Sequence, residues 1–342
     1  MSATALPGTQ PDPAEPPHQA MEQAAEWYAL LRSGEATEAD RRGWQTWLDS
    51  HPDHCRAWSY VEAVSRNFDP IHTTADPKLT ADKLWAANTR VLQRRRVLTS
   101  IAGLAGTGLL GWLTWRHTPL PAMALAWAAD HRTATGEMRE VALPDGTRAW
   151  LNTATAFNED YSASQRRLHL LHGEILIETA HDAQRPFYVD TAHGRLQALG
   201  TRFTVRLDEK ETFLAVYEGA VEVRTNAGAS AVVRSGQQVH FTPDALGAPE
   251  PADVAREAWS RGMLVAHNIP LSEVVQELRR YRSGHLGVAP EVAGLRVFGN
   301  FPLHDTDETL ALLSEALPVR IHRRMGWWVS IEPKAAAEST SR

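Results

Sequence analysis

Residues 136–152 read GEMREVALPDGTRAWLN. Val141 and Leu143 alternate with polar neighbours, Pro144-Asp145-Gly146 supplies a turn, and Ala149 and Leu151 resume the alternation. Side chains along a strand point to opposite faces in turn, so this stretch predicts a β-hairpin. The same period continues downstream. Leu168/Leu170 and Ile175/Ile177 flank His172-Gly173, Phe203, Val205 and Leu207 alternate, and Leu214/Val216 and Val221/Val223 flank Glu218-Gly219. Many short strands with glycine-centred turns over residues 136–242 predict an all-β domain, as a sandwich, barrel or solenoid.

Towards the C-terminus, residues 243–262 read as a linker, with Pro243 and Pro251 near its start. Residues 263–333 then mix the two periods. Leu264-Val265 leads into a helix carrying Leu271, Val274, Val275, Leu278 and Tyr281; Leu295, Val297 and Phe298 are strand-like. Asp305, with Glu308 three residues on, is placed to cap a helix striped by Leu310, Leu313 and Leu317. Val319-Ile321 and Trp328-Ile331 close as a hairpin around Met325-Gly326, giving βαβ followed by αββ, a small α+β domain. Residues 334–342 are a polar tail.

Towards the N-terminus, residues 116–135 are a spacer behind an uncharged run, residues 97–115, VLTSIAGLAGTGLLGWLTW. As a helix this run spans roughly 28 Å, close to the bilayer's hydrocarbon thickness of about 30 Å. Trp112 and Trp115 sit where an interfacial aromatic belt lies, and Gly103, Thr107 and Gly111 form a row of small residues. A buried core helix is the alternative, but no polar face interrupts the run. The polar linker and basic flank, residues 67–96, hold Lys83, Arg90, Arg94, Arg95 and Arg96 within 82–96; residues 116–130 hold only Arg116. The positive-inside rule therefore puts the N-terminus in the cytoplasm. The arginines before Val97-Leu98 also look like a twin-arginine export signal, although a plain charge anchor explains the same residues and is the preferred reading.

Ahead of the linker, residues 20–66 have the helical period. Ala24, Trp27, Tyr28 and Leu31 mark a first helix that stops at Ser33-Gly34. Thr37 with Asp40 resembles a capping box for a second helix carrying Trp44, Trp47 and Leu48; Pro52 suits the first turn of a third, through Ala57, Trp58 and Val61. So small a unit has little core of its own and is expected to need a partner. Trp27, Leu31, Trp44, Trp47, Leu48 and Trp58 are either that core or the anchors shown to the partner, with Trp44 or Trp47 the better placed anchor. Residues 1–19, with Pro7, Pro11, Pro13, Pro16 and Pro17, are expected to be a disordered lead-in, and no ordinary cleavable secretory signal stands near Met1. The fold class is therefore multidomain α + β: a small helical domain, one transmembrane helix, a β-rich domain and a small α+β domain.

Composition removes several functions. A net charge of −6 lacks the basic excess of a direct nucleic-acid binder, and Cys55, the only cysteine, permits no internal disulfide. His51, His54 and Cys55 crowd too closely for a spaced tetrahedral zinc set, so no metal is expected, nor any cofactor. Asp145, Asp182, Asp190 and the scattered histidines match no nucleophile elbow, phosphate loop or metalloprotease motif, which argues against an enzyme acting on an external substrate.

Residues 25–58, AEWYALLRSGEATEADRRGWQTWLDSHPDHCRAW, resemble the cytoplasmic sigma-binding domain of the FecR family. GEMREVALPDGTRAWLN and LGTRFTVR resemble its β-rich periplasmic domain. NIPLSEVVQELRRY, from 268, and LRVFGNFPLHDTDETLALLSEAL, from 295, resemble the short domain shared by secretins and TonB-dependent transducers. The resemblance implies a single-pass inner-membrane anti-sigma factor. Its cytoplasmic helices would hold an extracytoplasmic-function sigma factor, and its periplasmic domains would read the signalling domain of a TonB-dependent outer-membrane receptor, with iron-siderophore uptake the family default. Periplasmic and intramembrane proteases would then release the N-terminal piece. It also implies self-cleavage between Gly200 and Thr201, the Thr201 hydroxyl attacking the Gly200 carbonyl in an N-to-O acyl shift; a structural Gly-Thr at a strand start is the alternative. A membrane-anchored periplasmic scaffold without a sigma partner would use the same β and α+β modules, but would not need the tryptophan-rich helices.

Overall fold

The computed structural model describes residues 16–66, 68, 129–198 and 200–334. Three helices come first: α1 (His18–Arg32), α2 (Glu38–Ser50) and α3 (Pro52–Arg66). α1 begins inside the expected disordered lead-in, because Pro17 fixes its own φ at −53° and its carbonyl accepts the Met21 N–H at 3.0 Å. The capping box forms as expected: the Asp40 N–H donates to the Thr37 hydroxyl at 3.2 Å, and the Thr37 N–H donates to the Asp40 carboxylate at 2.8 Å. Pro52 occupies the first turn of α3. α1 and α3 bury Ala24, Ala25, Ala57 and Val61, whereas α2 has no buried residue.

The β-rich part is two sheets sharing one long strand. In the first, β1 (His131–Arg132), β4 (Ala156–Tyr161), β5 (Arg166–Glu178), β6 (Phe187–Asp190), β7 (Gly194–Ala198), β10 (Ala220–Thr225) and β11 (Ser230–Arg234) lie side by side. In the second the order is β2 (Arg139–Ala142), β3 (Arg148–Leu151), β5, β8 (Arg202–Leu207), β9 (Thr212–Glu218), β12 (Gln237–Phe241) and β13 (Glu250–Pro251). Their inner faces bury Phe157, Leu168, Ile175, Ile177, Phe187, Phe203, Val205, Val216 and Val223 in one core. The hairpin expected around Pro144-Asp145-Gly146 is present, with Ala142 opposite Arg148. His172-Gly173 is not a turn. Gly173, at φ +89°, bends β5 between the sheets, and a Cβ there would run into the hydroxyl and backbone of Thr155. Glu218-Gly219 likewise carries the chain from β9 in one sheet to β10 in the other. β1 also lies within the expected spacer 116–135, so the β-rich part starts earlier than predicted.

The expected linker 243–262 is folded. It contributes β13 and a 3-10 helix, Val254–Arg261, whose Trp259 is buried in the C-terminal core. That core is closed by β14 (Met263–Pro270), α4 (Leu271–Arg279), β15 (His285–Val288), α5 (Pro290–Ala293), β16 (Arg296–Pro302), α6 (Thr306–Ala316), β17 (Val319–Met325) and β18 (Trp328–Pro333). β14 pairs with β16, while β15 runs parallel to β18, which pairs antiparallel with β17. Asp305 caps α6, accepting from Asp307 N–H at 2.9 Å and Glu308 N–H at 3.0 Å. The expected βαβ-αββ order lacked β15, which supplies the parallel pairing. Among the described residues no helix is long and apolar enough to cross a membrane. The predicted span 97–115 and Arg94, Arg95 and Arg96 lie outside the described residues.

Two contacts join these parts. Leu176 and Trp150 of the sheets share the core of Trp259 and Leu278, and the buried Glu174 carboxylate accepts from Arg280 at 2.6 Å and Asn152 at 2.9 Å. At the other end α1 and α3 lie against β17 and β18. Glu22 accepts from Arg324 at 2.8 Å and from the Trp328 indole at 3.1 Å, and Tyr28 meets Trp327 at 5.9 Å.

Candidate functional site

Gly200 and Thr201 stand immediately before β8, where the chain enters the second sheet. Gly200 is exposed and holds φ +75°, in the left-handed region that only glycine enters without cost. Its carbonyl oxygen lies under Gly219, itself at φ +76°, so closely that a Cβ on residue 219 would overlap it. Thr201 is buried, and among the described residues its hydroxyl has no hydrogen-bond partner. Its main chain is held on both sides by one residue. The Thr201 N–H donates to the Thr179 hydroxyl at 2.9 Å, and the Thr201 carbonyl accepts from the Thr179 N–H at 3.0 Å and hydroxyl at 3.2 Å. Arg202 pairs with Glu178 at 2.6 Å and Glu257 at 2.7 Å and stacks over Trp150, so the next residue is tied both to β5 and to the 3-10 helix.

This arrangement has the parts of an acyl shift within one peptide unit: an unengaged hydroxyl, an adjacent carbonyl on a residue without Cβ, and exposure of that acyl residue to solvent. No acidic or imidazole group is hydrogen-bonded to the hydroxyl among the described residues. Sequence reasoning singled out Gly200 and Thr201 and named neither Thr179 nor Gly219 as their neighbours. Gly219 stood out only as a turn residue, and Thr179 belongs to no motif; strand pairing alone brings them there.

The six residues predicted to bind a partner all fall on the helical unit, each half-buried. Trp44 packs 5.0 Å from Trp58, and Trp58 lies 5.8 Å from Tyr28. Trp47 stacks on His54 at 4.4 Å and donates its indole N–H to Gln23 at 2.9 Å. Trp27 fills the space over Gly43, which a Cβ would crowd. Leu31 and Trp58 line a shallow cleft with Tyr28, Glu62 and Arg66, while Leu48 sits on the outer helix α2. The tryptophans thus serve as the unit's internal contacts and keep part of each ring in solvent.

Several other titratable groups are engaged within the fold. His54 bonds the Trp47 carbonyl at 2.7 Å and Cys55 that of Leu48 at 3.3 Å. Asp145 is paired with Arg166 at 2.7 Å, both buried. Burial opposes ionisation of Asp145, but Thr147 and the Arg166 guanidinium outweigh it and hold its pKa below the usual carboxylate value. Glu22, His322 and Glu332 approach one another closely enough to share an ion, yet Arg324 and Arg320 already neutralise the two carboxylates.

Two family models match the chain. The FecR protein model covers residues 129–222, from the first strand into β10, and a domain of unknown function, DUF4880, covers residues 22–64, the three helices. Two crystal structures of a candidate anti-sigma factor from Parabacteroides distasonis ATCC 8503 are similar at 21% identity. They cover 59% of this chain and 98% and 97% of their own, each with a TM-score of 0.49. Comparison with curated proteins finds no match.

Proposed function

Because the chain belongs to the FecR family, with a DUF4880 unit ahead of its FecR domain, we propose that it is an anti-sigma regulator anchored in the bacterial inner membrane. Residues 20–66 hold an extracytoplasmic-function sigma factor in the cytoplasm. Residues 97–115 cross the membrane, and the β-rich and α+β parts face the periplasm. There residues 263–333 dock the signalling domain of a TonB-dependent receptor, for iron-siderophore uptake, and proteases release the N-terminal piece.

One observation carries the sigma-binding reading: α2 buries none of its residues, although it presents Trp44, Trp47 and Leu48. An amphipathic helix gains stability by covering its apolar face, and this one still has surface to cover. In the structure α1 and α3 rest on β17 and β18, a contact that a membrane between them forbids. The crossing leaves both faces free, the helices for sigma and the Trp327–Trp328 surface for the receptor domain. The test is co-purification: sigma should accompany the full chain and be lost when residues 1–66 are deleted. Retention by the deleted chain removes the reading.

Self-cleavage between Gly200 and Thr201 is part of the same proposal. The exposed, left-handed Gly200 and the buried, unpaired Thr201 hydroxyl favour it over a plain strand start. Thr201→Ala should abolish the split, Thr201→Ser should keep it, and the two fragments should stay associated, because β5 lies between β8 and earlier strands. A freshly made full chain that stays at full mass ends this part of the proposal.

A further inference from the structure

We propose that Thr179 is a catalytic residue of the Gly200–Thr201 cleavage, delivering the proton that lets the Thr201 nitrogen leave. The inference rests on the self-cleavage reading and specifies how its hardest step is met. An amide nitrogen is a poor leaving group because its lone pair is shared with the carbonyl. Once the Thr201 hydroxyl has added to the Gly200 carbon, that sharing ends and the nitrogen becomes an amine base. It can depart only after taking up a proton.

The hydroxyl of Thr179 is the side-chain group bonded to this nitrogen, at 2.9 Å. In the resting chain it accepts from the Thr201 N–H and points its own proton at the Thr201 carbonyl, 3.2 Å away. With the amide sharing gone the nitrogen is pyramidal and can invert, which exchanges its N–H for its lone pair on the side of Thr179. Rotation about the Cβ–Oγ bond then turns the Thr179 proton to meet it. The Thr179 N–H, bonded to the same carbonyl at 3.0 Å, keeps the residue in place while the hydroxyl turns. A β-branched residue suits this, since few rotamers are open to it.

The atoms balance without an outside oxidant or reductant. The bond from Thr201 Oγ to the Gly200 carbon forms, and the Oγ proton passes to the former carbonyl oxygen, giving a five-membered ring. On collapse the carbon–nitrogen bond breaks and the carbonyl reforms, releasing that proton to water. Thr179 protonates the nitrogen and regains a proton from water, which reaches the exposed Gly200. The ester so formed takes up one water, leaving a carboxylate on Gly200 and a free amine and hydroxyl on Thr201.

The test follows pulse-labelled full chain by gel and mass. Thr179→Val keeps the shape without the hydroxyl and should split about a hundredfold more slowly, within the range for a lost proton donor. Thr179→Ser should stay near the wild-type rate, and both variants should be fully folded at the assay temperature by circular dichroism, Thr179→Val with a lower unfolding midpoint because the buried Thr201 N–H loses its acceptor. Hydroxylamine, which traps esters, should hasten the wild-type split and leave Thr179→Val slow. A wild-type rate in Thr179→Val overturns the inference. So does a Thr179→Ser chain as slow as Thr179→Val, or rescue of Thr179→Val by hydroxylamine, which would place the residue after the shift. A wild-type chain that never splits instead overturns the self-cleavage reading itself.

Discussion

Gly219 sits against the carbonyl that the proposed reaction attacks, so a single methyl group there tests the site's geometry. With φ at +76° and the Gly200 oxygen where a Cβ would be, Gly219→Ala must move one strand or the other. The expected cost is about 1–3 kcal/mol of stability, together with a slower split. Unchanged melting and cleavage would mean that the carbonyl is not confined. Asp145 and Arg166 make a different residue-scale case, a buried pair in the β core. The folded pKa of Asp145 lies below its unfolded value, so its contribution is fully present above about pH 3.9 and is lost as pH falls through the lower folded value. Asp145→Asn should cost about 3–5 kcal/mol, since it strands a buried guanidinium, and should flatten the acid limb of stability. Thermal melts of both chains from pH 2 to 6 would show it, and parallel acid limbs would refute it.

At the scale of elements, α2 makes the sharpest claim. Trp47 spends one ring face on His54 and its N–H on Gln23, yet stays half-exposed. Trp47→Ala should weaken sigma binding by about 2 kcal/mol while the unit keeps its helical circular dichroism. An unchanged affinity would make the ring a packing residue only. The same helix shows what sequence can tell: the Thr37–Asp40 box and the Pro52 start were both legible, because each is decided within one turn of chain. The Asp145-Gly146 hairpin was legible for the same reason. β15 was not, since His285-Leu286-Gly287-Val288 is too short for a period and forms only because β18 lies alongside. Gly173 looked like a turn because a positive φ serves a bend equally well. Residues 243–262 looked like a linker because their prolines are local, whereas the burial of Trp259 depends on Leu176 and Leu278. Gly200 and Thr201 drew attention only through a resemblance. Thr179 is 22 residues from Thr201, and no spacing rule joins them.

At the scale of the whole molecule, two interfaces compete to define how a signal moves. The buried Glu174–Arg280 pair binds the FecR domain to the α+β part, and Arg202, just after Gly200 and Thr201, reaches Glu257. Burial opposes ionisation of Glu174, but Arg280 and Arg206 outweigh it and hold its pKa low. The FecR domain and the α+β part therefore move as one body, and a partner docked on residues 263–333, as proposed, can act on β8. The helices cannot join that body if residues 97–115 cross a membrane, although Tyr28 meets Trp327 at 5.9 Å in the structure. This gives a test that needs no partner. With Cys55 replaced by serine, cysteines at positions 28 and 327 should not be joined by a short bismaleimide in cells, because the membrane separates them. The same pair should be joined in a chain from which residues 97–115 are deleted. Alkaline phosphatase fused after residue 250 should be active, and after residue 80 inactive, as the flanking charges require. Cross-linking in the intact membrane-bound chain, or the reverse phosphatase pattern, would put both ends on one side and leave the helices as a lid on the Trp327–Trp328 face.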